Sequence, residues 1–171
     1  DFNSLVTKMK GLGIDMVYFG GLHAEAALIV RQMREQGMKA AKFLSGDGLA
    51  TDEFAQLAGD SAQGVLNTFA ADPVRLDSAK QVVDAFKAKG YDAEGFTLYS
   101  YAAGEAIIAA LQANGGTGDG KVLAAWLHSH PVDTVLGAVE WDAKGDPKVA
   151  PLGVWEWQKA ADGKFHSVQV Q

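Results

Sequence analysis

The sequence predicts an α/β fold whose leading strands pair in parallel. Three observations carry this. Short apolar runs stop at glycine-flanked loops, and each is followed by a segment of helical period. Every connection in the front half holds such a segment, which suits parallel pairing through crossovers. The tail differs: two strand-like runs flank Asp162-Gly163, a hairpin signal.

Asp1 stands where it can cap an opening helix over 2–9, with Phe2, Leu5, Val6 and Met9 as its apolar stripe and Gly11 and Gly13 beyond. Ile14, Met16, Val17, Tyr18 and Phe19 form a short apolar run that ends at Gly20-Gly21, and read as a buried strand. The next period, Ala26, Leu28, Ile29 and Met33, leaves Arg31, Arg34 and Glu35 on the wet side and stops at Gly37. Strand, diglycine turn and helix make a βα unit, and open α/β sheets place ligands at the carboxyl ends of such strands. Residues 42–44 give a second strand that runs into Ser45-Gly46-Asp47-Gly48, a glycine-flanked loop at the same edge. Thr51 is the expected cap of a short helix with Asp52 and Glu53 in its first turn, closed by Gly59.

Residues 64–69 read as a third strand and 70–76 as a loop containing Pro73. Asp77 is the expected cap of a helix over 79–89 that buries Val82, Val83 and Phe86, and 90–95 is a connection. The most hydrophobic helix spans 96–111, with Tyr99, Ala102, Ala103, Ala106, Ile107 and Ala110 leaving little polar surface. A glycine-rich turn over 114–120 and a short helix over 121–128 follow. Residues 134–136 and 138–141 read as extended, 142–147 as a turn, and 152–157 and 165–170 as the strands of the tail hairpin.

The chain has 171 residues, 48% hydrophobic, enough for a core in one domain or two small lobes. A net charge of −6 argues against nucleic acid or an anionic membrane as main partner, since both reward clustered Lys and Arg. Without cysteine there is no disulfide or thiol chemistry, and no apolar run approaches the length of a membrane span. The sequence opens on Asp1 and shows no secretory leader, so it reads as a mature product, a trimmed piece or a part of something larger.

Several motifs invite chemistry. Gly115 to Lys121 matches the start of a phosphate-binding loop, but Val122 stands where Ser or Thr should hold magnesium, and the loop follows a helix; a surface turn is the reading. His128 and His130 flank a loop near Asp133, without the spacing of a metal site. His23 follows the diglycine turn with no nucleophile beside it, and no G-x-S-x-G is present. Asp47 is more informative. Between two glycines at a strand end, its carboxylate either reaches into a crevice to accept from an ammonium group or closes an Asx turn on its own backbone. Tyr18 and Phe19 point to opposite faces of their strand, so one at most meets a ligand.

Blocks along the whole chain carry a resemblance: Asp1-Phe2, Ile14-Asp15-Met16-Val17-Tyr18-Phe19-Gly20-Gly21, Gly46-Asp47-Gly48, Ala58-Gly59-Asp60-Ser61-Ala62-Gln63-Gly64, Val83-Asp84-Ala85-Phe86-Lys87, Tyr101-Ala102-Ala103 and Trp141-Asp142-Ala143-Lys144-Gly145-Asp146. In order and spacing they resemble the branched-chain amino-acid-binding (Leu/Ile/Val-type) proteins of bacterial ABC import systems. The resemblance implies a three-layer, parallel-sheet sandwich of the type I periplasmic-binding fold, present as the C-terminal half of a two-lobe molecule. Residues 1–70 and 152–171 would belong to the second lobe and 71–151 to the first. It also implies a periplasmic location, a small amino acid or similar zwitterion as ligand, an inner-membrane permease as partner of the full-length protein, no cofactor and no catalysis.

By resemblance, Asp47 takes the place of the acidic residue that binds the ammonium group, Leu22 that of a neighbouring tyrosine, and Phe96 that of an aromatic pocket wall, with Gly21, Gly46 and Tyr18 close by. The shorter acid and the missing hydroxyl at Leu22 imply a roomier or more apolar pocket. The groups that hold the ligand's carboxylate lie in the absent N-terminal half, so the chain alone is expected to bind weakly. Apolar faces meant for that half predict self-association, as a domain-swapped dimer or a rearranged single sheet. The rival readings are a small α/β enzyme and a ligand-sensing receptor domain.

Overall fold

The computed structural model describes residues 1–93 and 95–170; Glu94, in the expected connection over 90–95, and Gln171 lie outside that range. In chain order the elements are α1 (Asn3–Gly11), β1 (Met16–Phe19), α2 (His23–Glu35), β2 (Lys42–Ser45), α3 (Asp52–Ala58), β3 (Leu66–Ala70), α4 (Lys80–Ala88), α5 (Thr97–Ala113), α6 (Gly120–Leu127), β4 (Val132–Thr134), β5 (Gly137–Val139), β6 (Leu152–Lys159) and β7 (Phe165–Gln169). They fall into two units, Asp1–Ala71 with Leu152–Gln171, and Asp72–Pro151.

The first unit holds a five-stranded sheet in the order β1-β2-β3-β6-β7. β1, β2 and β3 pair in parallel, with Phe19 opposite Ser45 and Ser45 opposite Asn67. β6 enters antiparallel to β3, and β7 returns antiparallel to β6. The parallel sheet expected from the resemblance holds for β1, β2 and β3, and the tail hairpin makes the sheet as a whole mixed. The tail meets β3 from the opposite direction, and a hairpin can return only antiparallel.

Alternation along the strands divides their side chains between two faces. One face carries Val17, Phe19, Phe43, Val65 and Trp157, and packs under Val6 of α1, Ala26, Ile29, Val30 and Met33 of α2, and Phe54 and Ala58 of α3. Phe54 and Trp157 meet at 5.7 Å between ring centroids, which ties α3 to the tail strand. Burying a side chain of this kind stabilises the fold by roughly 1.5–3 kcal/mol. The other face leaves Met16 52% exposed, Tyr18 69% and Leu152 74%. The three-layer sandwich is thus two layers deep in this unit, one sheet and one set of helices. Each strand finds its neighbours within the single chain, so neither the rearranged single sheet nor the domain swap is what the structure shows.

Several local expectations shift. The first helix begins at Asn3 and runs to Gly11, with Asp1 Oδ1 accepting from the Asn3 N–H at 2.8 Å. Arg34 turns back from solvent to donate to the carbonyls of Met38 and Ala41 at 2.8 and 2.9 Å, and burial lowers its pKa. Thr51 caps α3, accepting from the Glu53 N–H.

In the second unit Asp77 caps nothing with its side chain. Asp72 instead accepts from the Val74 N–H at 3.0 Å, at a 3-10 turn that Pro73 opens. Proline at the first helical position favours that earlier start. α5 buries Leu98, Ala102, Ala106 and Ala110 but leaves Ile107 and Ile108 exposed. With Ala79 and Val83, Leu98 and Ala102 form a small core closed by Val135. Glu105 Oε2 accepts from the Val135 N–H at 2.8 Å and so ties α5 to the strand pair β4–β5.

Candidate functional site

Of the expected binding residues, Gly21, Leu22, Gly46 and Asp47 lie in the loops at the carboxyl ends of β1 and β2, Tyr18 lies on β1, and Phe96 lies in the second unit. β1 ends at Phe19 and turns through Gly20, Gly21 and Leu22 into α2; β2 ends at Ser45 and turns through Gly46 into the 3-10 turn Asp47–Leu49. Three contacts hold these loops together. Ser45 Oγ donates to the Phe19 carbonyl at 2.7 Å. Gly48 lies so close to the Gly21 carbonyl that a β-carbon there would overlap its oxygen. His23 Nε2 and Glu53 Oε2 stand 2.9 Å apart and join the first turns of α2 and α3, an ionic pair when the imidazole is protonated.

Asp47 is exposed at the tip of this arrangement. Its backbone carbonyl accepts from the Ala50 N–H at 2.9 Å, which makes the 3-10 turn. Its carboxylate makes no hydrogen bond among the described residues, so the Asx turn does not form. A carboxylate left free at a strand end can accept from an incoming ammonium group. Leu22 precedes α2 with an extended backbone, and the residue is 64% exposed. Gly21 faces a different constraint, since a β-carbon there would meet the Phe19 ring at 2.5 Å. Phe19 itself turns inward, 5.9 Å from Phe43. Tyr18 points from the uncovered face of the sheet instead. Phe96 belongs to the second unit, just before α5, and is half exposed.

Beneath the loops, sequence reading missed a buried polar residue. Asn67, on β3 beside Ser45, is fully buried, and neither atom of its carboxamide has a hydrogen-bond partner. The indole N–H of Trp155, its register partner on β6, is also unpartnered. Its neighbours Leu66 and Phe69 make the run look like an ordinary buried strand, and a lone Asn there carries no distinguishing signal.

The remaining motifs resolve into structure. Lys121, the lysine of the phosphate-loop match, sits in the first turn of α6, where Asp119 Oδ1 accepts from its N–H at 2.9 Å. That helix start already has its acid. His128 Nδ1 donates to the Asp142 carbonyl at 2.9 Å, and the His130 ring stacks on Trp126 at 4.6 Å. Among the described residues no group of three or more His, Asp or Glu could hold a metal ion. No helix among them is long and apolar enough to cross a membrane.

The two loops at adjacent strand ends thus expose one carboxylate, that of Asp47. The profile of the family described as "Periplasmic binding protein" matches residues 1–164. The chain belongs to that family. Its family is one of periplasmic substrate-binding proteins, not of enzymes. An amino acid binding protein of Pseudomonas aeruginosa is 51% identical over 170 residues, 98% of this chain and 44% of that protein. A Leu/Ile/Val-binding protein homolog of Brucella abortus is 43% identical over 169 residues, 99% of this chain and 45% of that protein. The leucine binding protein LivK of Thermotoga maritima superposes with a TM-score of 0.81 at 24% identity, covering 98% of this chain and 47% of that one, a likeness of fold. The chain therefore spans less than half the length of the relatives it matches.

Proposed function

We propose that the chain is part of a solute-binding protein of an ABC import system, and that its first unit supplies the ammonium side of a site for a small amino acid or similar zwitterion. The observation that carries this reading is the free Asp47 carboxylate, held on a turn that the Gly21–Leu22 backbone braces. The naming of the Pseudomonas relative as an amino acid binding protein supports it. In this reading Asp47 accepts from the ammonium group, Gly21 and Gly46 keep the backbone near the ligand, and Leu22 offers apolar contact. Phe96, as an aromatic pocket wall, and Tyr18 stay candidates by resemblance alone. The permease is the partner of the longer protein.

An exposed carboxylate gains little from one ammonium group, because water screens the pair. Affinity rises when water is excluded and both ends of the zwitterion are held. The chain alone therefore binds its ligand weakly, and the rest of the longer protein completes the grip. The uncovered sheet face, with Met16, Tyr18 and Leu152, supports self-association when that remainder is absent. The test is calorimetry with a panel of L-amino acids. The chain alone shows no micromolar binding, the longer protein binds, and Asp47→Ala in the longer protein abolishes binding while its circular dichroism stays unchanged. Micromolar binding to the chain alone, or full binding by the Asp47→Ala protein, would overturn the reading.

A further inference from the structure

Glycine is required at position 48 by space and not by backbone angle. Its φ lies outside the left-handed region, so any L-residue could adopt the conformation. A β-carbon, however, would overlap the Gly21 carbonyl oxygen and come within 3.4 Å of the Leu22 Cα, both backbone atoms that cannot turn aside as a flexible side chain would. The neighbouring glycines differ. A β-carbon at Gly46 or Gly20 would meet nothing within 4 Å. Of the two glycines around Asp47, only Gly48 is pressed against the other loop.

We propose that Gly48 is a positioning residue: its missing side chain lets the Gly21–Leu22 backbone seat against the turn that carries Asp47, and so sets the distance between the two halves of the amino-acid contact. This rests on the function proposed above. Ser45 Oγ, bonded to the Phe19 carbonyl, fixes the same spacing at the strand ends, and the His23–Glu53 pair fixes it at the helix starts. The loops are thereby held in one arrangement before a ligand arrives, which spares binding the cost of ordering them.

The test compares single-methyl additions in one loop. Gly48→Ala, Gly46→Ala and the unsubstituted 171-residue chain are examined by amide NMR, free and with L-leucine added to tens of millimolar. Gly48→Ala is expected to shift the amides of Gly20, Gly21, Leu22 and His23, whereas Gly46→Ala shifts only residues flanking it. The response to L-leucine should weaken at least fivefold in Gly48→Ala. Val65→Ala, a core truncation away from both loops, controls for lost stability and should leave the response within twofold. Undisturbed Gly20–Leu22 amides in Gly48→Ala, or an equal loss in Val65→Ala, would overturn the proposal. No response by the unsubstituted chain to any amino acid at these concentrations, together with none by the longer protein, would overturn the functional reading instead; the ligand-free amide shifts would still decide whether Gly48 positions the loop. Should Gly48→Ala fail to fold, Ser45→Ala removes the second tie without adding volume. Faster amide exchange at Gly20–Leu22 supports the clamp, and unchanged exchange refutes it.

Discussion

The Ser45 hydroxyl donates to the Phe19 carbonyl across 2.7 Å, joining the last residue of β2 to the last residue of β1. The two residues are also register partners in the sheet, so the side chain adds a second link where backbone pairing ends. Ser45 is buried, and this bond accounts for its polar atom. A partly buried hydrogen bond of this kind contributes about 1 kcal/mol net. Ser45→Ala is expected to lower the unfolding free energy by about that amount, read from the urea midpoint at unchanged slope. An unchanged midpoint would mean that water replaces the hydroxyl without loss.

Asn67 presents the opposite case. A buried carboxamide without partners carries a desolvation penalty of about 1–3 kcal/mol, which an apolar residue of similar size avoids. Asn67→Leu should therefore raise the urea midpoint, whereas Val65→Ala, at the buried residue just before β3, should lower it. A lower midpoint for Asn67→Leu would show that the carboxamide is satisfied in solution.

The uncovered face of the five-stranded sheet sets a solution property. Met16, Tyr18, Leu152 and Val168 lie on that face and are exposed. The chain is expected to self-associate with rising concentration in light scattering. Tyr18→Lys combined with Leu152→Lys should shift it to monomer, since lysine on an open sheet opposes edge and face pairing. A monomer at every concentration would remove the face as the cause.

Asp142 gives a pH dependence. Hydrogen bonds from the backbone N–H groups of Lys144 and Asp146 hold its carboxyl below the ordinary carboxylate value. The folded pKa is depressed, so the turn gains stability above the unfolded value and loses it as pH falls through the lowered one. The amide resonances of Lys144 and Asp146 should hold steady through mildly acid pH and move only below the usual Asp range. Movement at or above that range would contradict the bonding. Asp142→Asn, with a weaker acceptor, should loosen the turn at neutral pH.

The βα unit around Gly20-Gly21 was legible because its signals are local: an apolar run, a diglycine break and a helical period. The position of Asp47 at a strand end followed the same way. What stayed hidden depends on neighbours in space. That Gly48 must be glycine is visible only once β1 and β2 lie side by side. The parallel front was readable, but the antiparallel entry of β6 beside β3 was not, because a hairpin signal says nothing of which strand it joins. Leu98 escaped notice in a helix apolar on every side, where no period marks the buried stripe. Asp72 and Asp77 both precede helical turns, and the proline after Asp72 decided which of them bonds.

The register that pairs Ala70 with Leu152 places the whole of the second unit inside the first one's sequence. On a ribosome, β3 emerges long before the strand that flanks it, and its edge stands unpaired while residues 72–151 are made. Closing so long an interval costs entropy before any contact is gained, and such distant pairings form late. Assembly of the sheet should thus wait for β6, so a chain cut short before Lys159 leaves β1, β2 and β3 without the strand that closes their core.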